Sequence, residues 1–348
     1  MGGVLTAVFY LLVMVFVFGI LIFIHEFGHF FTARKCGVAI KEFAIGMGPT
    51  LFSWKSKKYE TKYALRAFPI GGFVSMVGED EASDDENAFC NKKVWQRMLI
   101  TVAGPLMNLL LGFILMFAVV LMQGPVATTT VDKFAPEALS SEKLQSGDEI
   151  LEVGGTKVQS GNELIYEIMN KGYEPIDLVV KRNGEKITLE DVVFPTFEDQ
   201  GVVFGDMDFS ILLEEKTFLS TITHTFTRSV STVKMVVDSL VGLLSGRFGI
   251  DAMSGPIGVA EVVGEAAKEG LMNFLYISTV LTINLGVFNL IPFPALDGGR
   301  FLFLIIEAIR RKPINKNVEA YINFAGIVLL FGLMIFISFK DVLKLFFR

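Results

Sequence analysis

Four stretches of the chain contain no charged residue and are long enough to cross a membrane as helices. About 20 consecutive apolar residues are needed to span a hydrocarbon core near 30 Å thick. A single stretch of this kind could be a buried helix of a soluble protein, but four in one chain favour a membrane protein. The pattern therefore predicts four transmembrane helices, over residues 4–24, 98–122, 271–296 and 320–339.

Basic residues flank these stretches unequally and predict their orientation. Loops rich in Lys and Arg stay in the cytoplasm. The loop between the first two stretches and the loop between the last two carry most of the nearby basic residues, whereas none precedes the first stretch. We therefore expect both loops in the cytoplasm, and the N-terminus and residues 123–270 outside. Three basic residues near the C-terminus oppose this orientation weakly and can snorkel to the interface.

The first stretch lacks the basic start and the small-residue cleavage site of a signal peptide, so we expect it to remain in the mature protein. The long outside segment begins with β-rich sequence. Asn183-Gly184 lies between two apolar runs there and predicts a two-residue hairpin turn. The stretch 147–155, GDEILEVGG, resembles the turn and strand of PDZ domains, with Gly154 where Asn is frequent.

Residues 217–245 place apolar side chains at helical spacing, with Ser and Thr on the other faces. This pattern predicts an amphipathic helix that lies on the membrane or on the protein. His224 is alone on this helix, and we interpret it as a surface histidine.

The end of the first stretch carries a motif with specific chemistry, His25-Glu26-Phe27-Gly28-His29. Two histidines four residues apart lie on one face of a helix and can share one Zn²⁺, and the glutamate between them can accept a proton from water. The alternative is a stacked or helix-capping histidine pair. That alternative is weak because ionisable side chains within a membrane helix are costly unless a buried site uses them.

A hydrolytic zinc site takes three protein ligands, so one more is needed. The chain has three histidines in all, which makes a carboxylate the expected third ligand. Asp297 is the candidate because it directly follows the uncharged stretch 271–296, in which Pro292 and Pro294 are expected to unwind the helix locally. Irregular backbone at membrane depth is tolerated where it lines a polar site. In the predicted topology Asp297 and His25 both lie toward the cytoplasmic side, so they can meet.

These residues together carry a family resemblance. The motif at 25–29 and the segment 289–299, NLIPFPALDGG, resemble the paired signature of site-two proteases, the intramembrane zinc metalloproteases. Three further segments resemble the family's membrane-associated β-hairpin (68–74, FPIGGFV), its second-span motif (103–108, AGPLMN) and the segment before its third span (254–258, SGPIG). One PDZ-like module is similar to the bacterial members with a single PDZ domain.

The resemblance implies roles for individual residues. His25, His29 and Asp297 would bind Zn²⁺, and Glu26 would be the general base. Asn289 and Asn284 would contact the substrate backbone, although hydrogen bonds between helices are an alternative for both. The hairpin would receive an extended substrate by strand addition. The substrates would be single-span membrane proteins, such as anti-sigma factors, or signal-peptide remnants, in regulated intramembrane proteolysis.

Composition agrees with this interpretation. The chain is 52% hydrophobic and 20% charged, against about 25% charged in soluble proteins. A net charge of −6 argues against nucleic-acid binding, and the two cysteines argue against a disulfide framework. Three other functions stay open but less favoured: a prenyl-peptide-processing zinc protease, a non-catalytic scaffold and a zinc transporter. The acidic run 79–86 is expected to be solvated.

The expected fold class is a polytopic α-helical membrane protein with four transmembrane helices, a cytoplasmic-side membrane-associated β-hairpin and one extracytoplasmic PDZ-like α+β domain. The expected organisation is a first transmembrane helix (1–35), a cytoplasmic loop with the hairpin (36–97), a second transmembrane helix (98–123), the PDZ-like domain (124–200), an amphipathic helical linker (201–270), and third and fourth transmembrane segments (271–312 and 313–348).

Overall fold

The structure is a computed structural model that describes residues 2–79, 81, 83–199, 201–249 and 253–346. The helices are α1 (Gly2–Lys35), α2 (Val94–Met122), α3 (Gly161–Lys171), α4 (Phe218–Leu244), α5 (Pro256–Glu269), α6 (Leu271–Leu290), α7 (Asp297–Arg310) and α8 (Lys316–Phe346). The strands are β1 (Ile40–Lys55), β2 (Lys62–Met76), β3 (Val126–Phe134), β4 (Glu149–Val153), β5 (Thr156–Lys157), β6 (Ile176–Arg182), β7 (Glu185–Val192), β8 (Thr196–Asp199), β9 (Val202–Gly205) and β10 (Phe209–Glu214).

The chain divides into two compact units. The membrane unit consists of Met1–Leu115 with Ser254–Arg348, and the β-rich unit consists of Met116–Met253. Four helices among the described residues are long and apolar enough to cross a membrane, which confirms the prediction of four such helices. They are Val8–Lys35, Val94–Met122, Leu271–Leu290 and Lys316–Leu343.

The third apolar stretch is not one helix. We expected a local unwinding at its prolines, but α6 ends at Leu290 and a separate helix, α7, begins at Asp297. Proline has no amide hydrogen and its ring clashes with the preceding turn, so two prolines so close together, Pro292 and Pro294, strongly disfavour a continuous helix here. The break places Asp297 in the first turn of a new helix.

Small and apolar residues hold the membrane unit together. A Cβ on Gly28 would lie 2.4 Å from the carbonyl oxygen of Ala103, so only glycine permits this close approach of α1 to α2. Val17 and Leu21 of α1 pack with Val263 of α5 in an apolar cluster. These contacts fix α1, which carries the histidine motif, against α2 and α5.

The strands β1 and β2 form a strongly bent hairpin in the membrane unit. Phe43 pairs with Val74 on one side and with Tyr63 on the other, and Trp54 also pairs with Tyr63. Each long strand therefore bends and contributes two segments to one antiparallel sheet. Among the described residues, the segment 72–76 pairs only with the first part of β1. It therefore forms an outer strand, with one edge of its backbone unpaired.

The β-rich unit contains a sheet with strand order β10-β3-β4-β6-β7, and β5 pairs with β4. The predicted hairpin is confirmed, since Asn183 and Gly184 connect β6 to β7 with φ values of 54° and 91°. An apolar cluster forms the centre of the β-rich unit and includes Ile150, Leu164 and Leu178, none of which is exposed.

One expected boundary is corrected by this sheet. The PDZ-like domain was expected to end at residue 200, but β10 lies beyond it and pairs with β3 along its length. The sheet of the β-rich unit therefore continues past residue 200, to Glu214. The linker expected over 201–270 is accordingly not wholly helical, because β9 and β10 precede α4.

The amphipathic helix predicted over 217–245 is confirmed as α4. Thr217 and Ser220 form a capping box at its start. Several of its Thr and Ser side chains, such as Thr225 and Ser229, are buried, whereas Phe218, Phe226 and Val241 are exposed. Polar contacts join it to α3: Tyr166 donates a hydrogen bond to Asp238, and Ser231 and Lys234 donate to two glutamates of α3. Burial and the nearby Asp238 carboxylate raise the pKa of Tyr166.

Candidate metal centre

Three ligand atoms from two distant parts of the membrane unit converge on one point. Nε2 of His25 lies 3.2 Å from Nε2 of His29 and 3.0 Å from Oδ2 of Asp297. The third side of the triangle, from Nε2 of His29 to the same carboxylate oxygen, is 3.4 Å. Among the described residues these three form a group that could hold a metal ion.

The dimensions of this triangle fit zinc. In a tetrahedral site with ligand distances of about 2.0–2.1 Å, neighbouring ligand atoms lie about 3.3 Å apart. Oδ2 of Asp297 is buried and has no hydrogen-bond partner among the described residues. A buried carboxylate oxygen without a donor is costly, and a cation shared with the two imidazoles removes that cost. The donor set, two histidines and one carboxylate, is one that hydrolytic zinc sites use.

Helix α2 leaves room for this triangle. A Cβ on Gly104 would lie 2.3 Å from Nε2 of His29 and 2.9 Å from Nε2 of His25. Any larger residue at position 104 would therefore occupy the space between the imidazoles and α2. The absence of a side chain at Gly104 thus leaves space next to the two Nε2 atoms.

The same helix also contacts the far side of each imidazole. Nδ1 of His29 lies 2.8 Å from the carbonyl oxygen of Ile100, and the side-chain amide of Asn108 lies 3.2 Å from Nδ1 of His25. A carbonyl only accepts, so His29 carries its proton on Nδ1 and its Nε2 lone pair faces the centre. Neither partner was predicted from the sequence, although Asn108 lies in the segment 103–108 that resembles the family's second-span motif.

The position of Asp297 depends on the loop before it. Ala295 has a φ of 71°, in the left-handed region that non-glycine residues rarely adopt. Its backbone amide donates a hydrogen bond of 3.2 Å to Oδ1 of Asn323, on α8. A Cβ on Gly298 would lie 2.2 Å from the carbonyl oxygen of Ile291, so the loop folds closely over the start of α7. These contacts orient the first turn of α7.

Glu26 does not belong to the triangle and points to the hairpin. Its Cγ lies next to Gly72, where an added Cβ would be only 3.3 Å away, and the backbone of Val74 lies beside its carboxylate. The outer strand 72–76 therefore runs alongside Glu26. The Glu26 carboxylate is therefore outside the triangle, but it is close both to the candidate ligands and to the outer strand of the hairpin.

Glu79 differs from the expectation for the acidic run 79–86. Its side chain is only 16% exposed and it pairs with Arg300, one turn after Asp297, with an N–O distance of 2.5 Å. A polar cavity of about 230 Å³ lies here, and Asp297 is part of its lining together with Glu79, Arg300, Lys316, Glu319 and Asn323. The carboxylate of Asp297, a candidate ligand, thus borders a cavity lined with charged groups.

The two asparagines expected to contact substrate lie on α6. Nδ2 of Asn289 donates a hydrogen bond of 2.9 Å to the carbonyl oxygen of Leu285, one turn earlier on the same helix. Asn284 is partly buried. The structure does not bring either residue into the ligand triangle, and their contact with substrate stays a prediction.

Comparison with known proteins identifies the family. The model of peptidase family M50 matches residues 13–333. The chain belongs to peptidase family M50. It is similar to the regulator of sigma-W protease RasP of Bacillus subtilis (strain 168), with 30% identity over 95% of this chain and 98% of that protein. It is also similar to the putative zinc metalloprotease FN1322 of Fusobacterium nucleatum, with 36% identity over 96% of this chain and 99% of that protein.

A third relative is the zinc metalloprotease RasP of Bacillus licheniformis, 31% identical over 95% of this chain and 98% of that protein. The resemblance to site-two proteases is therefore confirmed. As a member of family M50, the chain is an intramembrane zinc metalloendopeptidase with Zn²⁺ as its cofactor and several membrane-spanning helices.

Proposed function

We propose that His25, His29 and Asp297 hold the catalytic zinc and that Glu26 is the general base. The observation that carries this proposal is the triangle of ligand atoms, with sides of 3.0, 3.2 and 3.4 Å. Zn²⁺ bound there would act as a Lewis acid and would lower the pKa of a water molecule to about 7. The substrate is a peptide bond within or near a transmembrane segment of a single-span protein.

The protein side chains then perform the proton transfers. Glu26 takes a proton from the attacking water and delivers it to the amine nitrogen as the peptide C–N bond breaks. The products are a carboxylate and an amine, so one water molecule is consumed for each bond cleaved. The place of Glu26, beside the ligands but outside the triangle, suits this role.

The hairpin presents the substrate in an extended form. A transmembrane helix uses its own backbone hydrogen bonds and hides its peptide bonds, so it must unwind before attack. The outer strand 72–76 offers unpaired backbone groups next to Glu26 and can pair with an unwound segment by strand addition. Asn289 and Asn284 contact the substrate backbone on the side of α6.

The membrane arrangement follows the distribution of basic residues. Residues 36–97 and the loop before α8 lie in the cytoplasm, and the N-terminus and the β-rich unit lie outside, with the metal centre toward the cytoplasmic side. The β-rich unit is a single PDZ-like module that filters substrates by size or docks them. Anti-sigma factors and signal-peptide remnants are the expected substrates, in line with a relative whose name is regulator of sigma-W protease.

The test combines metal analysis with cleavage of a labelled single-span model substrate. Wild-type protein in detergent should contain one zinc per chain and cleave the substrate. Glu26→Gln should keep the zinc and lose cleavage, whereas Glu265→Gln, a change at an exposed glutamate of α5, should alter neither. Absence of stoichiometric zinc, or undiminished cleavage by Glu26→Gln, would contradict the proposal.

A further inference from the structure

The imidazole of His25 requires a partner on the side that faces away from the ligand triangle. A metal-ligating histidine almost always donates its other ring N–H to an acceptor, which fixes both the tautomer and the ring orientation. Nε2 of His25 faces His29 and Asp297. Its Nδ1 must therefore carry the proton when Nε2 binds a metal, and that proton needs an acceptor.

Asn108 is placed to provide that acceptor. It lies on α2, it is completely buried, and its side-chain amide is 3.2 Å from Nδ1 of His25. The backbone of the same residue is held separately, because Thr282 of α6 donates a hydrogen bond of 3.1 Å to the Asn108 carbonyl oxygen. This hydrogen bond between α6 and α2 uses the backbone of Asn108, so the side-chain amide of Asn108 is left to contact His25.

The amide can adopt either of two orientations. Rotation by 180° exchanges its oxygen and its nitrogen with little change in shape, so it can present a donor or an acceptor to the imidazole. In the present orientation Nδ2 faces Nδ1, and Oδ1 is buried with no hydrogen-bond partner among the described residues. The ring nitrogen of His25 that carries the hydrogen therefore decides which end of the amide pairs with Nδ1.

We propose that Asn108 is a positioning residue of the metal centre. Its side-chain oxygen accepts the Nδ1 proton of His25 and thereby selects the tautomer that leaves the Nε2 lone pair free for the metal. This inference rests on the proposed metal site at His25, His29 and Asp297, and it assigns to that site an outer partner that neither of its motifs contains.

The arrangement of α2 supports this assignment. Ile100, Gly104 and Asn108 are four residues apart and so lie along one face of the helix. Ile100 offers its carbonyl oxygen to Nδ1 of His29, Gly104 leaves space beside both Nε2 atoms, and Asn108 faces Nδ1 of His25. One face of α2 thus contacts both imidazoles, and it provides a partner for the Nδ1 atom of each.

The test measures zinc affinity, by competition with a chromophoric chelator, in full-length protein in detergent. Asn108→Leu has similar size but no acceptor and should bind zinc about 10–100-fold more weakly than the wild type. Asn108→Asp keeps an acceptor and should bind zinc with an affinity close to that of the wild type. Thr282→Val is the matched control: it removes the bond to the Asn108 backbone but not the amide, and it should leave the affinity unchanged.

Spectroscopy provides a second readout that a general loss of packing does not mimic. The visible bands of the Co²⁺-substituted protein report ligand geometry, so they should change in Asn108→Leu and be preserved in Asn108→Asp. If the leucine variant does not fold, Asn108→Ala replaces it with the same expected direction. Unchanged zinc affinity in the folded leucine or alanine variant, or an equal loss in Asn108→Asp, would overturn the inference.

One further variant separates this inference from the proposed function. His25→Ala removes a ligand itself and should abolish stoichiometric zinc binding. If His25→Ala retained zinc, the proposed metal site would be wrong. If His25→Ala lost zinc and Asn108→Leu did not, the metal site would stand and only the role of Asn108 would be refuted.

Discussion

Nε2 of His25 lies 3.0 Å from Oδ2 of Asp297, although one residue belongs to α1 and the other begins α7. The third apolar stretch is broken before Asp297, since α6 ends at Leu290 and Asp297 lies in the first turn of a separate helix. Since neither α1 nor α7 alone contains all three candidate ligands, the proposed metal centre depends on how the membrane unit packs.

The first prediction concerns Asp297 itself. Asp297→Asn keeps the shape of the side chain but replaces a charged ligand by a neutral amide, so the protein should fold and contain well under one zinc per chain. Glu319→Gln, in the lining of the same cavity, is the control and should keep full zinc content. Metal analysis of both purified variants checks this, and full zinc in Asp297→Asn would refute the role of Asp297.

The second prediction concerns metal removal. A ligand that binds only the folded state stabilises it by about 2.7 kcal/mol at a free concentration 100 times its Kd. Treatment with a zinc chelator should therefore lower the Tm of the wild-type protein, and added zinc should restore it. The Tm of Asp297→Asn should not respond to the chelator. An equal shift in both proteins would indicate that the chelator acts elsewhere.

The sequence was sufficient to predict the parts of this centre that are local. His25 and His29 share a helix face because of their spacing, and Asp297 stands out as the first charge after a long apolar stretch. The proximity of all three in the structure agrees with the depth expected for each. The hydrophobic pattern could not predict which face of α2 lies against the two histidines. Ile100, Gly104 and Asn108 contact the imidazoles only because of how the helices pack.

In the β-rich unit, too, local features were predicted from the sequence and long-range contacts were not. The Asn183-Gly184 turn was predicted correctly because its signal lies in two adjacent residues. The pairing of β10 with β3 was missed because it joins segments that are far apart in sequence. Long-range strand pairing depends on which edge remains free after the rest of the sheet has formed.

The third prediction concerns the space beside the imidazoles. Gly104→Ala would put a methyl group 2.3 Å from Nε2 of His29, and the backbone of α2 cannot retreat without losing its close contact at Gly28. The imidazoles should be displaced and zinc affinity should fall by at least about tenfold, the lower end of the losses seen when outer partners are removed. Gly332→Ala in α8, where an added Cβ meets no atom within 4 Å, is the control and should bind zinc normally.

The last prediction concerns the stability of the β-rich unit. Asp148 is 1% exposed and accepts hydrogen bonds of 2.7 Å from both Nε and Nη2 of Arg182, and one of 2.8 Å from the backbone of Gln145. Asp148→Ala leaves a guanidinium without its partner and a backbone donor unpaired. Removing one member of a fully buried pair costs about 3–5 kcal/mol, but Arg182 is 19% exposed and water can reach it, so the free energy of unfolding should fall by about 2–3 kcal/mol.

Glu149→Gln is the matched control for this change, because it removes the adjacent carboxylate from its exposed pair with Lys181, whose N–O distance is 3.3 Å. Exposed ion pairs contribute no more than about 1 kcal/mol, since water and salt screen them and holding two long side chains costs entropy. Hydrogen exchange of the β4 and β6 amides in the full-length protein localises the effect. Faster exchange should occur in Asp148→Ala only, and equal exchange in the two variants would show that burial of the Asp148 pair does not stabilise this sheet.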